Sequence, residues 1–125
     1  MQRLVSVLLT SILACGTAAP TLDAQTNQST RHIVAFKYKT GTTEGQIKQV
    51  TDAFRELKNK IPGIVSFEQG VNNSTVGKSR GFTHVYVVTL RDVEARDAHI
   101  PHPEHKKFGE FLARLGIIED SLVVD

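Results

Sequence analysis

Hydrophobic and polar positions along the chain follow two different periods. In four segments the apolar side chains alternate or form short runs rich in branched and aromatic residues, which is typical of β-strands. Between them, apolar side chains recur every three or four positions, which is typical of helices that bury one face. The predicted strands are residues 31–39, 64–70, 82–90 and 117–125, and the predicted helical regions are residues 43–61 and 92–115.

The ends of the helices are marked by local signals. Thr43 followed by Gln46 three positions later is typical of a capping box that opens the first helix. The second helical region is interrupted by Pro101 and Pro103. Because proline fits the first position of a helix, Pro103 is expected to begin a new helical segment.

The order strand, helix, strand, strand, helix, strand predicts a ferredoxin-like α+β sandwich. Two helices can cover only one face of a four-stranded sheet. Residues 82–90 nevertheless carry apolar or half-polar side chains on both faces, and residues 31–39 nearly do so. The uncovered face must meet something other than water, and a second copy of the same sheet is the simplest partner. We therefore expect a homodimer.

The segment that precedes this domain has the features of a secretory signal peptide. Arg3 is followed by an uncharged, largely apolar stretch that is too short to span a bilayer, and Ala24 is a plausible last residue before cleavage. We predict a signal peptide over residues 1–24, a disordered linker over residues 25–30 and a domain over residues 31–125. The protein is then secreted or periplasmic, with no stable membrane span.

Cys15 is the only cysteine in the chain. The sequence ILAC that ends at this residue resembles a lipobox, so a lipid anchor on Cys15 is the less favoured alternative to simple cleavage. Cleavage after Ala24 leaves a mature chain without cysteine. That would exclude disulfides, thiolate metal ligands and a cysteine nucleophile.

Composition and charge exclude several classes of function. The 15 Lys and Arg against 13 Asp and Glu give a net charge of +2, which is too small to indicate nucleic-acid binding. The 40% hydrophobic and 22% charged content is ordinary for a globular domain. The sequence contains no Walker A or GxGxxG motif, and we predict no cofactor.

The histidines are the main candidates for chemically active residues in this chain. His32 and His84 lie on predicted strands, on the same faces as the aromatic residues Phe36 and Tyr86, and three more histidines lie in HIPHPEH. Because imidazole exchanges a proton near neutral pH, a pocket lined by several histidines is suited to acid–base work. Core histidines with satisfied hydrogen bonds are the equal alternative for His32 and His84.

The histidines of HIPHPEH lie at three-residue steps. A continuous helix would bring His99, His102 and His105 near one face, but the prolines interrupt it and no established zinc spacing occurs, so no metal site is predicted. His102 is expected just before the start of the new helix, partly as its cap. His105 then lies in the first turn, where the helix dipole lowers its pKa and leaves a neutral imidazole that could act as a general base.

A resemblance to a known family is carried by RHIVAFKYK, IPGIVSFEQG, GFTHVYVVTL, HIPHPEHKKF and LVVD. These segments are similar to those of the stress-responsive A/B barrel (Dabb) family. The resemblance implies a ferredoxin-like fold that dimerises through its sheets into an α+β barrel. In a plant polyketide cyclase of this family a histidine base acts with a nearby tyrosine. The resemblance puts His105 at the base position, His99 at the tyrosine position, and His32 and His84 at pocket histidines.

Three functions follow from these observations, and the first is favoured. The first is binding of a small apolar or aromatic molecule without catalysis. The second is an enzyme, a cyclase, lyase or cofactor-free oxygenase, with His105 as general base and His99 as a proton donor. The third is a structural stress-response oligomer. The residues expected to line the pocket are His32, Phe36, His84, Tyr86 and His102.

Overall fold

Four antiparallel strands form one sheet, and three helices pack on one of its faces. The computed structural model describes residues 28–125, so the predicted signal peptide and residues 25–27 lie outside the described residues. The elements are β1 (Thr30–Tyr38), α1 (Glu44–Lys60), β2 (Ile64–Val71), β3 (His84–Leu90), α2 (Val93–His99), α3 (Pro103–Leu115) and β4 (Ile118–Val124). The strand order is β2-β3-β1-β4, with every pair antiparallel. The ferredoxin-like α+β fold is confirmed.

The helix ends follow the local signals of the sequence. The Thr43 hydroxyl accepts from the backbone N–H of Gln46 at 3.2 Å, and the Gln46 side chain accepts from the backbone N–H of Thr43 at 3.0 Å, which completes the capping box. The second helical region is divided into α2 and α3, with Pro103 at the start of α3 and His102 as its N-cap. Both helix starts were predicted correctly.

The core is an aromatic cluster centred on Phe54 of α1. Its ring lies 4.7 Å from Phe108 of α3, 5.1 Å from Tyr86 of β3 and 5.4 Å from Phe67 of β2, measured between ring centroids. Burial of each such side chain stabilises the fold by about 1.5–3 kcal/mol. The cluster therefore fixes α1 and α3 side by side over the middle of the sheet.

Gly63, in the turn between α1 and β2, holds α2 close to the sheet. Its φ is +91°, and a Cβ at this position would lie 2.7 Å from the Cβ of Ala95. Its carbonyl accepts from the backbone N–H of Arg91 at 2.8 Å. Because only glycine allows this approach, the turn fixes α2, and with it the position of His99 at the end of α2.

The sheet face opposite the helices is apolar. Ile33 of β1 lies between Val87 of β3 and Val124 of β4, and Val124 and Leu122 are about half exposed. These side chains alternate with the core residues along each strand, so no helix covers them. Within the part of the chain that the structure describes, no helix has both the length and the apolar content needed to cross a bilayer.

Candidate functional site

The helix-covered face of the sheet carries polar groups at both ends of β1. His32 lies near the start of the strand and Tyr38 is its last residue, which at about 3.3 Å per residue separates them by about 20 Å. The group at the first end, here the histidine cluster, consists of His32, His99, His105 and Asp125. The group at the second end, here the tyrosine network, consists of Tyr38, Tyr86 and Thr51.

Three elements contribute imidazoles to the histidine cluster. His32 points from β1 toward the helices, His99 is the last residue of α2, and His105 lies in the first turn of α3. The ring centroids of His32 and His99 are 5.4 Å apart, and those of His99 and His105 are 4.7 Å apart. One ring nitrogen of each residue lies within 4.8 Å of those of the other two. The three side chains thus face a common point.

Asp125, which follows β4, orients His32. Because β4 pairs antiparallel with β1 and Val124 lies opposite Ile33, the Asp125 carboxylate reaches the imidazole of His32. The His32 Nδ1–H donates to Oδ1 of Asp125 at 2.6 Å, and Arg96 Nη1 donates to Oδ2 at 3.2 Å. This bond leaves the lone pair of His32 on Nε2.

The ionisation of Asp125 follows from the same contacts. Burial alone would raise the pKa of Asp125, but the hydrogen bond from His32 and the positive charges of His32 and Arg96 hold it below its ordinary value. The carboxylate is therefore charged at neutral pH. It stabilises the tautomer of His32 in which Nδ1 carries the proton.

His99 is the most unusual member of the cluster. Its side chain is fully buried, and within residues 28–125 neither Nδ1 nor Nε2 has a hydrogen-bond partner. Leaving a buried polar group unpaired costs about 1–3 kcal/mol. Burial, followed by the positive charges of His105, His32 and His102, lowers the pKa of His99 to about 4. The residue is therefore neutral near pH 7, with an unshared lone pair inside the protein.

A cavity of about 220 Å³ lies beside the cluster, between β1, β4 and α3. Its walls are mainly apolar, including Phe36 of β1 and Phe108 of α3, whereas His32 and His105 supply ring nitrogens and Ser121 a hydroxyl. Burial and the positive charge of His32 lower the pKa of His105, partly opposed by a hydrogen bond with the backbone of Ile100. The cavity is suited to an apolar molecule with one polar group.

His102 has a structural contact of its own. It is the N-cap of α3, and its Nδ1 accepts from the backbone N–H of Glu104 at 3.1 Å. It is not among the residues that line the 220 Å³ cavity. Its predicted position before the helix is confirmed, and its predicted ligand contact stays a prediction.

At the other end of the sheet, the tyrosine network is fully hydrogen-bonded. The hydroxyls of Tyr38 and Tyr86 are 2.9 Å apart, and Thr51 Oγ1 of α1 lies 3.0 Å from the Tyr86 hydroxyl. Tyr86 is completely buried. Burial and the hydrogen bond with Tyr86 raise the pKa of Tyr38 well above its ordinary value, so this phenol stays protonated.

His84 lies beside the tyrosine network and away from the other histidines. Its ring packs edge-on against Tyr38 at 5.1 Å, and its Nδ1 is 2.8 Å from the hydroxyl of Thr83. Burial lowers the pKa of His84. It lines a separate open groove of about 600 Å³, bounded by charged residues of α1 such as Glu44 and Arg55.

The structure thus divides the residues that the sequence assigned to one pocket. His32, Phe36 and His105 line the cavity, and His99 lies against the rings of His32 and His105. Tyr86 lies opposite Val34 at the middle of β1 but directs its hydroxyl to Tyr38, and the ring of His84 also packs against Tyr38. Sequence reasoning missed Asp125. The antiparallel pairing of the last strand with the first strand would have placed it beside His32, because the two strands run in opposite directions.

Comparisons with known proteins agree with this fold. Residues 30–125 match the family described as stress responsive A/B barrel domain. Over 80 residues, which are 64% of this chain and 79% of the relative, the sequence is 31% identical to olivetolic acid cyclase of Cannabis sativa.

Two solved structures add to the comparison. A crystal structure of an Arabidopsis thaliana protein superposes with a TM-score of 0.71 at 27% identity, over 76% of this chain and 90% of that one. A protein of unknown function from Jannaschia superposes with a TM-score of 0.61 at 26% identity, over 78% of this chain and 97% of that one. The latter is described as a dimeric ferredoxin-like protein.

Proposed function

The chain belongs to the stress-responsive A/B barrel (Dabb) family, and we propose that it binds a small apolar or aromatic molecule in the cavity beside the histidine cluster. The observation that carries this proposal is an apolar cavity of about 220 Å³ into which two imidazoles open. Apolar cavities of about 150 Å³ are known to take up benzene. The cavity therefore has room for one substituted ring, and the imidazoles of His32 and His105 would orient a polar substituent.

Gly109 offers a way to close the cavity without touching a histidine. It lines the cavity from α3, and a Cβ added there would meet no atom within 4 Å. Gly109→Leu is expected to fill part of the cavity, whereas Gly109→Ala adds one methyl group. Both variants should fold, because alanine and leucine favour helix more than glycine does.

The test is calorimetric titration of the full chain with para-cresol, with toluene as the ligand that lacks the hydroxyl. We expect saturable binding of para-cresol, weaker binding of toluene, and at least about tenfold loss for Gly109→Leu. Gly109→Ala should bind para-cresol nearly as the unchanged protein does. Absence of saturable binding, or equal binding by the leucine variant, would contradict the proposal.

A second candidate is general-base catalysis by His105 on a molecule held in the same cavity. Two observations favour it: the ring of His105 opens to the cavity, and the relative that is 31% identical is named a cyclase. The family resemblance puts His105 at the position of its base and His99 at that of its tyrosine. This chain thus has an imidazole where that enzyme has a phenol.

The general base can be tested without knowing the substrate. Acetophenone in D₂O exchanges its methyl protons when a base removes them, and the exchange is followed by NMR. We expect catalysed exchange that His105→Gln lowers by about 100-fold or more, with His84→Gln unchanged. Exchange that survives His105→Gln, or no exchange above the buffer rate, rules out this candidate while leaving the binding proposal intact.

We also propose that two copies pair through the apolar face of the sheet. The support is the exposure of Leu122 and Val124 on a face without helices, together with the dimeric state given for the Jannaschia protein. Val87→Lys on this face should give a monomer by light scattering, because a buried lysine is costly without a partner. Val76→Lys, at a valine that is already 73% exposed, is the matched control and should leave the dimer unchanged.

Export is proposed from the sequence alone. If residues 1–24 are a signal peptide, protein recovered from a bacterial periplasm should have the mass of residues 25–125. A mass that includes a lipid on Cys15 would favour the anchored alternative. An uncleaved chain retained in the cytoplasm would contradict both.

A further inference from the structure

Three imidazoles from separate elements converge in the histidine cluster. One nitrogen each of His32, His99 and His105 lies within 4.8 Å of the others, although His32 lies far from the other two along the chain. Convergence of three imidazole nitrogens on one point is the arrangement by which proteins hold zinc and similar ions. Core packing alone therefore does not explain why these three imidazoles converge.

His99 supplies an independent reason to expect a ligand. Its side chain is fully buried, and within the described residues both ring nitrogens lack a hydrogen-bond partner. Buried polar groups in folded proteins are nearly always hydrogen-bonded or bound to metal. A bound cation would use one nitrogen of His99 directly.

The contact between His32 and Asp125 is typical of a histidine that binds a metal ion. The His32 Nδ1–H donates to the Asp125 carboxylate at 2.6 Å, so the free lone pair is on Nε2. Arg96 holds the other carboxylate oxygen at 3.2 Å and fixes its orientation. Metal-bound histidines commonly donate their second nitrogen to a carboxylate in this way, which sets the tautomer and raises the basicity of the ligand.

We propose that His32, His99 and His105 form a binding site for a divalent transition-metal ion, with Zn²⁺ as the reference ion, and that Asp125 is a positioning residue for His32. Three imidazoles and no carboxylate ligand suit zinc, copper, nickel or iron rather than magnesium or calcium, which prefer oxygen ligands. A fourth ligand would enter from the 220 Å³ cavity, because two of the three histidines line it.

Metal binding requires a small closure of the cluster. At a Zn–N distance of about 2.0–2.1 Å, tetrahedral geometry places ligand nitrogens about 3.3 Å apart. The nitrogens lie up to 4.8 Å apart here, so side-chain rotations of about an ångström would complete the site.

The metal site and the general-base candidate make opposite demands on His105. A lone pair bound to zinc is not free to accept a proton, so only one role can hold at a time. The metal proposal does not rest on small-molecule binding. Zinc and para-cresol titrations can therefore fail independently.

The test is calorimetric titration of the full chain with ZnCl₂ at neutral pH, after treatment with EDTA and removal of the chelator. We expect one zinc ion per chain with a Kd of about a micromolar or tighter. Loss of a ligand in His99→Leu or His105→Gln should weaken binding by more than about 100-fold, and Asp125→Asn by about 10–100-fold. His84→Gln, at a histidine outside the cluster, should bind zinc as the unchanged protein does.

Circular dichroism shows whether each variant is folded, and His105→Gln is the safer variant because His105 is only partly buried. Zinc should also raise the thermal midpoint of the unchanged protein, since binding to the folded state stabilises it. This rise should be absent in His105→Gln. Failure of the unchanged protein to bind zinc, or equal binding by the cluster variants and His84→Gln, would overturn the proposal.

Discussion

The two ends of the helix-covered sheet face differ in whether their buried polar groups are hydrogen-bonded. In the tyrosine network, the hydroxyls of Tyr38, Tyr86 and Thr51 are joined by hydrogen bonds of 2.9 and 3.0 Å. In the histidine cluster, His32 is hydrogen-bonded but both nitrogens of His99 are without a partner among the described residues. A satisfied network contributes to stability, whereas an unsatisfied group lowers it until something binds.

This difference indicates which end carries function. The tyrosine network joins α1, β1 and β3, and each of its hydrogen bonds contributes about 0.5–1.5 kcal/mol. The histidine cluster keeps a neutral, unpaired imidazole next to an apolar cavity, at a cost to stability. Proteins commonly accept such a cost at functional sites, so we assign binding to the cluster and structural support to the network.

The largest effect expected to distinguish the two ends is the pH dependence of folding stability that His99 causes. Its pKa is about 4 in the folded protein against an ordinary value of 6.5, so between these values the unfolded chain holds a proton that the folded protein lacks. Stability should therefore fall as pH is lowered from 6.5 to 4, by about 3 kcal/mol from this residue. Urea unfolding at several pH values, with EDTA present, measures it.

His99→Leu is the control for this pH dependence, since it removes the titrating group. The variant should lose most of the slope between pH 6.5 and 4, whereas Tyr86→Phe should keep it. An unchanged slope in His99→Leu would show that His99 is protonated or solvated in the folded protein, and the comparison between the two ends would fail.

The next effect concerns Asp125. Asp125→Asn replaces the carboxylate that accepts from His32 and Arg96 by a neutral amide. Hydrogen bonds to charged groups contribute about 1.5–3 kcal/mol, and Asp125 is partly exposed, so we expect a loss of about 1–2 kcal/mol in the free energy of unfolding at neutral pH. The loss should shrink at low pH, where the carboxylate is protonated; a constant loss would contradict the role of its charge.

A smaller effect is expected at Thr51. Thr51→Val keeps the shape of this buried side chain but removes its hydrogen bond with Tyr86. We expect destabilisation of about 1 kcal/mol. A double-mutant cycle with Tyr86→Phe should show a coupling of about 0.5–1 kcal/mol, and additive losses would mean that the two hydroxyls do not interact.

The smallest effect is at Gly109, on the cavity wall. Gly109→Ala should stabilise the protein by about 0.5–1 kcal/mol, because glycine within a helix costs conformational entropy and the new methyl group meets no atom within 4 Å. Thermal unfolding checks the sign. Destabilisation would show that the cavity wall has no room for the added methyl group.

Local signals predicted much of the fold. The capping box at Thr43, the helix start at Pro103 and the cap at His102 each depend on a few neighbouring residues, and all three are present in the structure. The apolar character of both sheet faces also followed from alternation within single strands. These features need no knowledge of which strands are neighbours.

The candidate site was less predictable because it depends on strand pairing. His84 and His32 share a sheet face, but β3 runs antiparallel to β1, so His84 lies opposite Phe36 while Val88 lies opposite His32. Asp125 reaches His32 only because β4 pairs with β1. The convergence of His99 with His32 likewise depends on how α2 packs, which no spacing within HIPHPEH reveals.

The most direct test of the difference between the two ends is one pair of polar-to-apolar substitutions. The free energy of unfolding is measured by urea titration near pH 7.5 in EDTA for Tyr86→Phe and His99→Leu. We predict opposite signs: a loss of about 2 kcal/mol for Tyr86→Phe, which leaves the buried Thr51 hydroxyl unpaired, and a gain of about 1 kcal/mol for His99→Leu, which removes an unpaired group. Destabilisation of similar size in both variants would contradict the assignment of function to the histidine cluster.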